Sequence, residues 1–137
     1  MRSILIDAGP LIGLFDSSDK YHFKSLAFLE DFRGTLWTTW PVITEVSHML
    51  DFSTKVQLAF LEWIRRGGIQ IFSLEESHLE RIIVLSEKFQ DVPMDLADAS
   101  LIVASEVKGI KEIASIDSDF YIYRDIRNKY LTNIFEV

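Results

Sequence analysis

No cysteine occurs in the 137 residues. Disulfides and thiolate metal sites are therefore excluded, and the composition fits a reducing compartment. Long apolar runs are missing as well. None approaches the roughly 20 residues of a membrane helix. The apolar N-terminal stretch is broken by Asp7 and Asp16, which argues against a secretory signal. Basic residues are outnumbered, 14 against 21 acids, giving a net charge of −7. That balance argues against a broad basic face for nonspecific nucleic-acid binding. Only three histidines occur; His22, His48 and His78 are widely spread and form no ligand pair. No nucleophile elbow and no Ser–His–Asp order is present, and the Gly67–Gly68 pair reads as a helix stop. There is no repeat, linker or low-complexity segment. These absences leave a cytoplasmic, single-domain chain (1–137) without membrane association as the expectation.

What is present is alternation. Strands are expected at 3–7, 35–39, 69–74, 111–117 and 132–137. Helices are expected from Pro10, then at 21–32, 41–51, 53–67, 75–91 and 94–109, with Ser53 as a cap and Gly109 as a stop. Strands alternating with helices call for an α/β fold whose parallel sheet is covered on both faces. In such folds ligands bind beyond the carboxyl ends of the strands, where the strand order reverses. Asp7 and Asp117 stand at two such ends.

Several acids interrupt apolar runs: Asp7, Glu45, Asp95, Asp98, Asp117 and Asp119. Carboxylates gathered in a cleft repel, by about 4 kcal/mol for two charges about 4 Å apart at an effective dielectric near 20. Either some hold protons or a cation neutralises them. Hard oxygen ligands suit Mg²⁺ or Mn²⁺, and such a site can activate water and clamp a phosphodiester.

Four segments, "ILIDAGPLIGLFD", "TTWPVITEV", "DLADASLIVA" and "IDSDF", resemble in order and spacing the PIN-domain nucleases, and among these the VapC-like ribonuclease toxins of toxin–antitoxin pairs. The resemblance covers nearly the whole chain. It implies a three-layer α/β/α sandwich with a central parallel sheet and Mg²⁺- or Mn²⁺-dependent RNA hydrolysis. By position it assigns Asp7, Glu45, Asp98 and Asp117 as the catalytic, metal-holding acids, with Asp119 auxiliary and Asp95 an additional ligand or outer group. It also implies an RNA substrate, a homodimer and an antitoxin partner. One departure is Gly9, where family members often carry a hydroxyl or amide side chain.

Each acid also has a plainer reading. Asp7 suits a turn, since "DAGP" is turn chemistry. Glu45, by itself, reads as solvated. Asp95 with Asp98 is close to a capping box; capping is the stronger reading for Asp95 and ligation for Asp98. Asp117 and Asp119 suit caps of the segment at Phe120. Ser115 is placed to add a hydroxyl at the strand tip. "WTTW" (37–40) and the aromatics of 21–32 read as mostly core, with a dimer or antitoxin groove as their other use. Two rival functions remain: a noncatalytic PIN-like protein-binding module, and a phosphoryl-transfer α/β domain. The acid quartet is complete, against the first; Asp-x-Asp at the first strand is lacking, against the second.

Overall fold

The structure is a computed structural model and describes residues 2–135. Five strands among them, β1 (Ser3–Ile6), β2 (Thr35–Thr39), β3 (Gln70–Phe72), β4 (Glu112–Ala114) and β5 (Thr132–Asn133), form one sheet in the order β3-β2-β1-β4-β5. Every pairing is parallel. Ile4, Leu5 and Ile6 are all buried. Consecutive strand residues face opposite ways, so both faces of the sheet are covered. Helices α1 (Ala8–Phe15), α2 (His22–Asp31), α3 (Trp40–Met49), α4 (Thr54–Arg65), α5 (Leu79–Lys88) and α6 (Leu96–Lys108) supply the cover. This is the α/β/α sandwich expected from the sequence. No helix among the described residues is long and apolar enough to cross a membrane.

The local signals place the helix ends. Ser53 accepts from the Val56 amide and starts α4. Asp95 accepts from the Asp98 amide and starts α6. Gly109 ends α6 at φ +69, a conformation glycine adopts without a Cβ penalty. Residues Ala97–Ser105 of α6 are buried without interruption. Their many small side chains allow close packing all round, as a central helix requires.

Several boundaries are shorter than expected. The 111–117 strand ends at Ala114 because the Asn133 side chain takes over the next peptide: it accepts from Ser115 N and donates to Ser115 O. The 69–74 strand keeps only Gln70–Phe72, the three residues that pair with β2. The 75–91 helix divides into a 3₁₀ turn at Glu76–His78 and α5. At the C-terminus β5 covers 132–133; residues 136–137 of the expected strand lie outside the described residues. The aromatics divide. Trp37, Phe28 and Phe32 pack against the core as expected, whereas Trp40 is 54% and Phe23 80% exposed, and the only fully buried residue of α2 is Ser25.

The helices α1 and α2 approach closely at Gly13. A Cβ there would lie 2.4 Å from Ser25 Oγ and 3.0 Å from the Tyr21 carbonyl oxygen. His22 Nδ1 is hydrogen-bonded to the Gly13 carbonyl at 2.7 Å. This contact brings the 19–21 turn against α1, where it borders the cleft described next.

Candidate metal centre

In the order β3-β2-β1-β4-β5 successive strands are added on one side of β1 up to β3 and then on its other side from β4, so the strand order reverses between β1 and β4. Loops leaving the two strands there diverge and open a crevice. Asp7 directly follows β1, and its amide donates to Ala114 O at 3.0 Å, locking the two strand tips together. Asp117 follows β4 by three residues. Asp98 enters from the first turn of α6. One carboxylate oxygen from each of Asp7, Asp98 and Asp117 lies within 4.8 Å of the other two.

Each of the three is oriented by donors. Asp7 accepts from the Ala8 amide at 2.8 Å and from Ser115 Oγ at 2.9 Å. Ser115 Oγ in turn accepts from the Asp117 amide at 2.9 Å. Asp117 accepts from the Asp119 amide at 2.9 Å and caps the 3₁₀ turn Ser118–Tyr121. Asp98 accepts from Tyr123 Oη at 2.7 Å. The plain capping roles of Asp7, Asp95 and Asp117 are therefore real. They coexist with the cluster, because an N-cap carboxylate uses one oxygen for the helix and retains lone pairs for other partners.

The remaining acids are distributed around this triad. A cleft of roughly 360 Å³ is lined by Asp7, Asp98 and Asp117 together with Asp19, Glu45 and Asp95. No lysine or arginine lines it. Glu45, from α3, and Asp95 are exposed at the cleft and fall outside the triad's 4.8 Å grouping. Asp119 is half-buried and does not line the cleft. An adjoining, more apolar groove of about 740 Å³ shares Glu45 and Asp95 and adds Trp40, His48 and Leu96.

Burial and mutual repulsion set the protonation. Burial pushes Asp7 up to about 6, with Glu45 and Asp117 adding to the shift against the Ala8 and Ser115 hydrogen bonds. Burial also raises Asp98, to about 7, helped by the charges of Asp95, Asp7 and Asp117 and opposed by Tyr123. Glu45 is raised by burial and by Asp95 and Asp117. Asp119 is raised by burial and by Asp117. Burial and the bond to Asp98 push the Tyr123 phenol up, so it remains a donor. Converging oxygens without a cationic side chain among them fit a hard divalent cation, which would replace the protons that the raised values otherwise retain.

Gly9 has a steric cause. A Cβ on it would lie 2.8 Å from Ile116 Cδ1 and 3.1 Å from Ile116 Cβ. Ile116 fills the room that a hydroxyl or amide side chain would take.

Two contributors escaped the sequence reading. Asp19 lines the cleft from a loop whose composition marks only a turn. Tyr123 reaches Asp98 from 25 residues away, and no local pattern signals that pairing.

No protein-family model matches the chain, and no curated protein matches it. Solved structures do. The chain is similar to Mycobacterium tuberculosis VapC20, a sarcin–ricin loop cleaving toxin, with a TM-score of 0.79 and 17% identity over 87% of this chain and 93% of that one. It is also similar to VapBC2 from Rickettsia felis, solved with a DNA fragment from its promoter, with a TM-score of 0.64 and 11% identity over 96% and 98%. At such identities the likeness is one of fold, and the fold is the PIN-like sandwich that the four sequence segments imply.

Proposed function

We propose that the chain is one PIN-like nuclease domain, a metal-dependent endoribonuclease acting as the toxin of a toxin–antitoxin pair. The observation that carries this reading is the approach of Asp7, Asp98 and Asp117 within 4.8 Å of one another at the strand-order reversal. The fold shared with VapC20 supports RNA as substrate. The fold shared with VapBC2 supports an antitoxin partner. A homodimer follows from the sequence resemblance.

Asp7, Asp98 and Asp117 would hold Mg²⁺ or Mn²⁺. The ion, when bound, supplies Lewis-acid activation of water and neutralises charge on the scissile phosphate. The protein's own part is orientation. Ser115 Oγ and the Ala8 amide fix the Asp7 carboxylate, the Asp119 amide fixes Asp117, and Tyr123 Oη fixes Asp98. Such supporting bonds hold ligands in register. Glu45 is exposed on the same cleft with a raised pKa. It would serve there as the base toward a water entering the cleft. Asp95 acts through the α6 cap and through its charge, and Asp119 through Asp117.

The test is cleavage of single-stranded and stem-loop RNA by the purified protein with Mg²⁺ or Mn²⁺, beside Asp98→Asn and Asp117→Asn. Metal-dependent cleavage lost in both variants is the expected result. Metal binding without cleavage of any RNA would favour a binding module. No metal binding would leave the acids as caps and end the nuclease reading.

A further inference from the structure

An acidic cleft on an acidic chain repels the polyanion it is proposed to cut, and the lining residues supply no cation to offset this. A divalent ion held by the triad offsets only part of the charge of the six acids that line the cleft, so a strand longer than the scissile phosphate needs further attraction from elsewhere on the surface. Residues 121–130, "YIYRDIRNKY", carry Arg124, Arg127 and Lys129 against Asp125 alone, a local balance of +2 in a chain of −7. No separate ten-residue stretch holds three basic residues. Several cations elsewhere are paired with carboxylates: Arg2 with Glu112, Arg81 with Glu106, and Arg65 and Arg66 together with the single Glu62.

This segment is a shaped platform. Asp125 is buried and accepts from the Arg127 and Lys129 amides and from the Arg127 guanidinium. The Ile126 amide donates to Glu106 Oε2 at 2.8 Å, tying the loop to α6. Arg124 Nη1 donates to the carbonyls of Tyr121, Ile122 and Tyr123. Its Nε and Nη2 have no acceptor among the described residues, and neither does Lys129 Nζ. The Arg124 guanidinium lies 5.1 Å from the Tyr130 ring centroid, and Tyr130 meets Tyr121 edge-on at 5.9 Å. Both tyrosines are about half exposed.

The platform also adjoins the cleft. Asp117 lines the cleft and caps the 3₁₀ turn that ends at Tyr121. Four residues of such a turn advance roughly 8 Å. Tyr123, inside the segment, is bonded to Asp98. We propose that residues 121–130 bind single-stranded RNA beside the acidic cleft, with Arg124 and Lys129 on phosphates and Tyr121 and Tyr130 stacking on bases. Exposed aromatics interleaved with cations suit an unpaired strand, since every base offers a face to stack. The prepositioned loop loses little further freedom on binding. The inference rests on the ribonuclease reading for its substrate, but not for its test.

The test measures binding of a fluorescein-labelled twelve-nucleotide oligouridylate by anisotropy, in EDTA, across a salt series. Arg124→Gln with Lys129→Gln is expected to weaken binding at least tenfold and to reduce the log–log salt slope by about 1.4, about 0.7 per phosphate contact on a single strand. Tyr121→Ala is expected to weaken it at least fivefold. The Tyr121 side chain makes no hydrogen bond among the described residues, so this variant stands even if the double variant fails to fold. Lys24→Gln with Lys55→Gln, of equal charge change, should stay within twofold of the parent. Strip variants that bind like that control pair, or a parent that does not bind the oligouridylate, would overturn the proposal. Cleavage with Mg²⁺ or Mn²⁺ is scored in parallel. Strip-dependent binding without cleavage keeps the strip and ends the ribonuclease reading; cleavage with strip-independent binding does the reverse.

Discussion

Tyr123 Oη donates a 2.7 Å hydrogen bond to Asp98 Oδ2, joining the segment after β4 to the first turn of α6. Tyr123 is fully buried, with Phe89 and Phe120 edge-on against its ring. The bond fixes one Asp98 oxygen and leaves the other without a donor among the described residues. Replacing Tyr123 by Phe retains the packing and removes the bond. We expect a loss of about 1–2 kcal/mol in stability and about tenfold weaker Mg²⁺ or Mn²⁺ binding. Denaturant unfolding and metal titration calorimetry check both; unchanged metal affinity would leave Tyr123 a purely structural residue.

Asp98→Asn removes a charge that burial and three neighbouring acids disfavour. Metal-free protein at pH 8 should therefore gain a few degrees in Tm while RNA cleavage falls at least a thousandfold. Full activity in this variant would remove Asp98 from the mechanism.

The raised carboxylates make metal-free stability depend on pH. Asp7 is raised from an ordinary 3.8 to about 6, so between these values the folded state holds a proton that the unfolded state has lost. Stability is then greatest below about pH 4 from this group and declines as pH rises through about 6, by on the order of 3 kcal/mol. Asp98 extends the decline to about pH 7. Mg²⁺ competes with the protons, so it should raise Tm more at pH 8 than at pH 5. A Tm increment independent of pH would contradict the cluster as the ion's site.

Gly9→Ser should cost about 1–3 kcal/mol, because its Cβ would lie 2.8 Å from Ile116 Cδ1 in a packed interior. Pairing it with Ile116→Ala opens that space. A double-mutant cycle by chemical denaturation should show favourable coupling; strict additivity would mean Ile116 is not what excludes a side chain at this position.

Asn133→Ala leaves Ser115 N and O without the side-chain amide that serves them. We expect a loss of about 2–3 kcal/mol and reduced cleavage, since Ser115 Oγ orients Asp7. Hydrogen exchange at the Ser115 amide would report the change directly, and unaltered protection there would refute it.

Local chemistry made much of this readable. Ser53, Asp95 and Gly109 act on backbone groups within a few residues, so their roles show in the chain itself. Glu45 shows the opposite case. Its neighbours Val42, Ile43 and Val46 mark the buried face of α3, but how far its carboxylate stands from the triad depends on how α3 packs. Trp40 likewise sits in an apolar context and yet is exposed, because it opens α3 at the rim of the groove.

The chain alone carries the alternation of strands and helices, hence a parallel sheet covered on both faces, and it places Asp7 at the tip of β1 and Asp117 in the segment just beyond β4. Those outcomes follow from periodicity and turn chemistry, which act over a few residues. Tertiary structure alone decided that three of the four acids meet within 4.8 Å, that Asn133 ends the β4 ladder, that Ile116 occupies the room beside Gly9, and that Tyr123 reaches Asp98. Each depends on the distance between segments far apart in the chain, and that distance is set by the packing of the whole core.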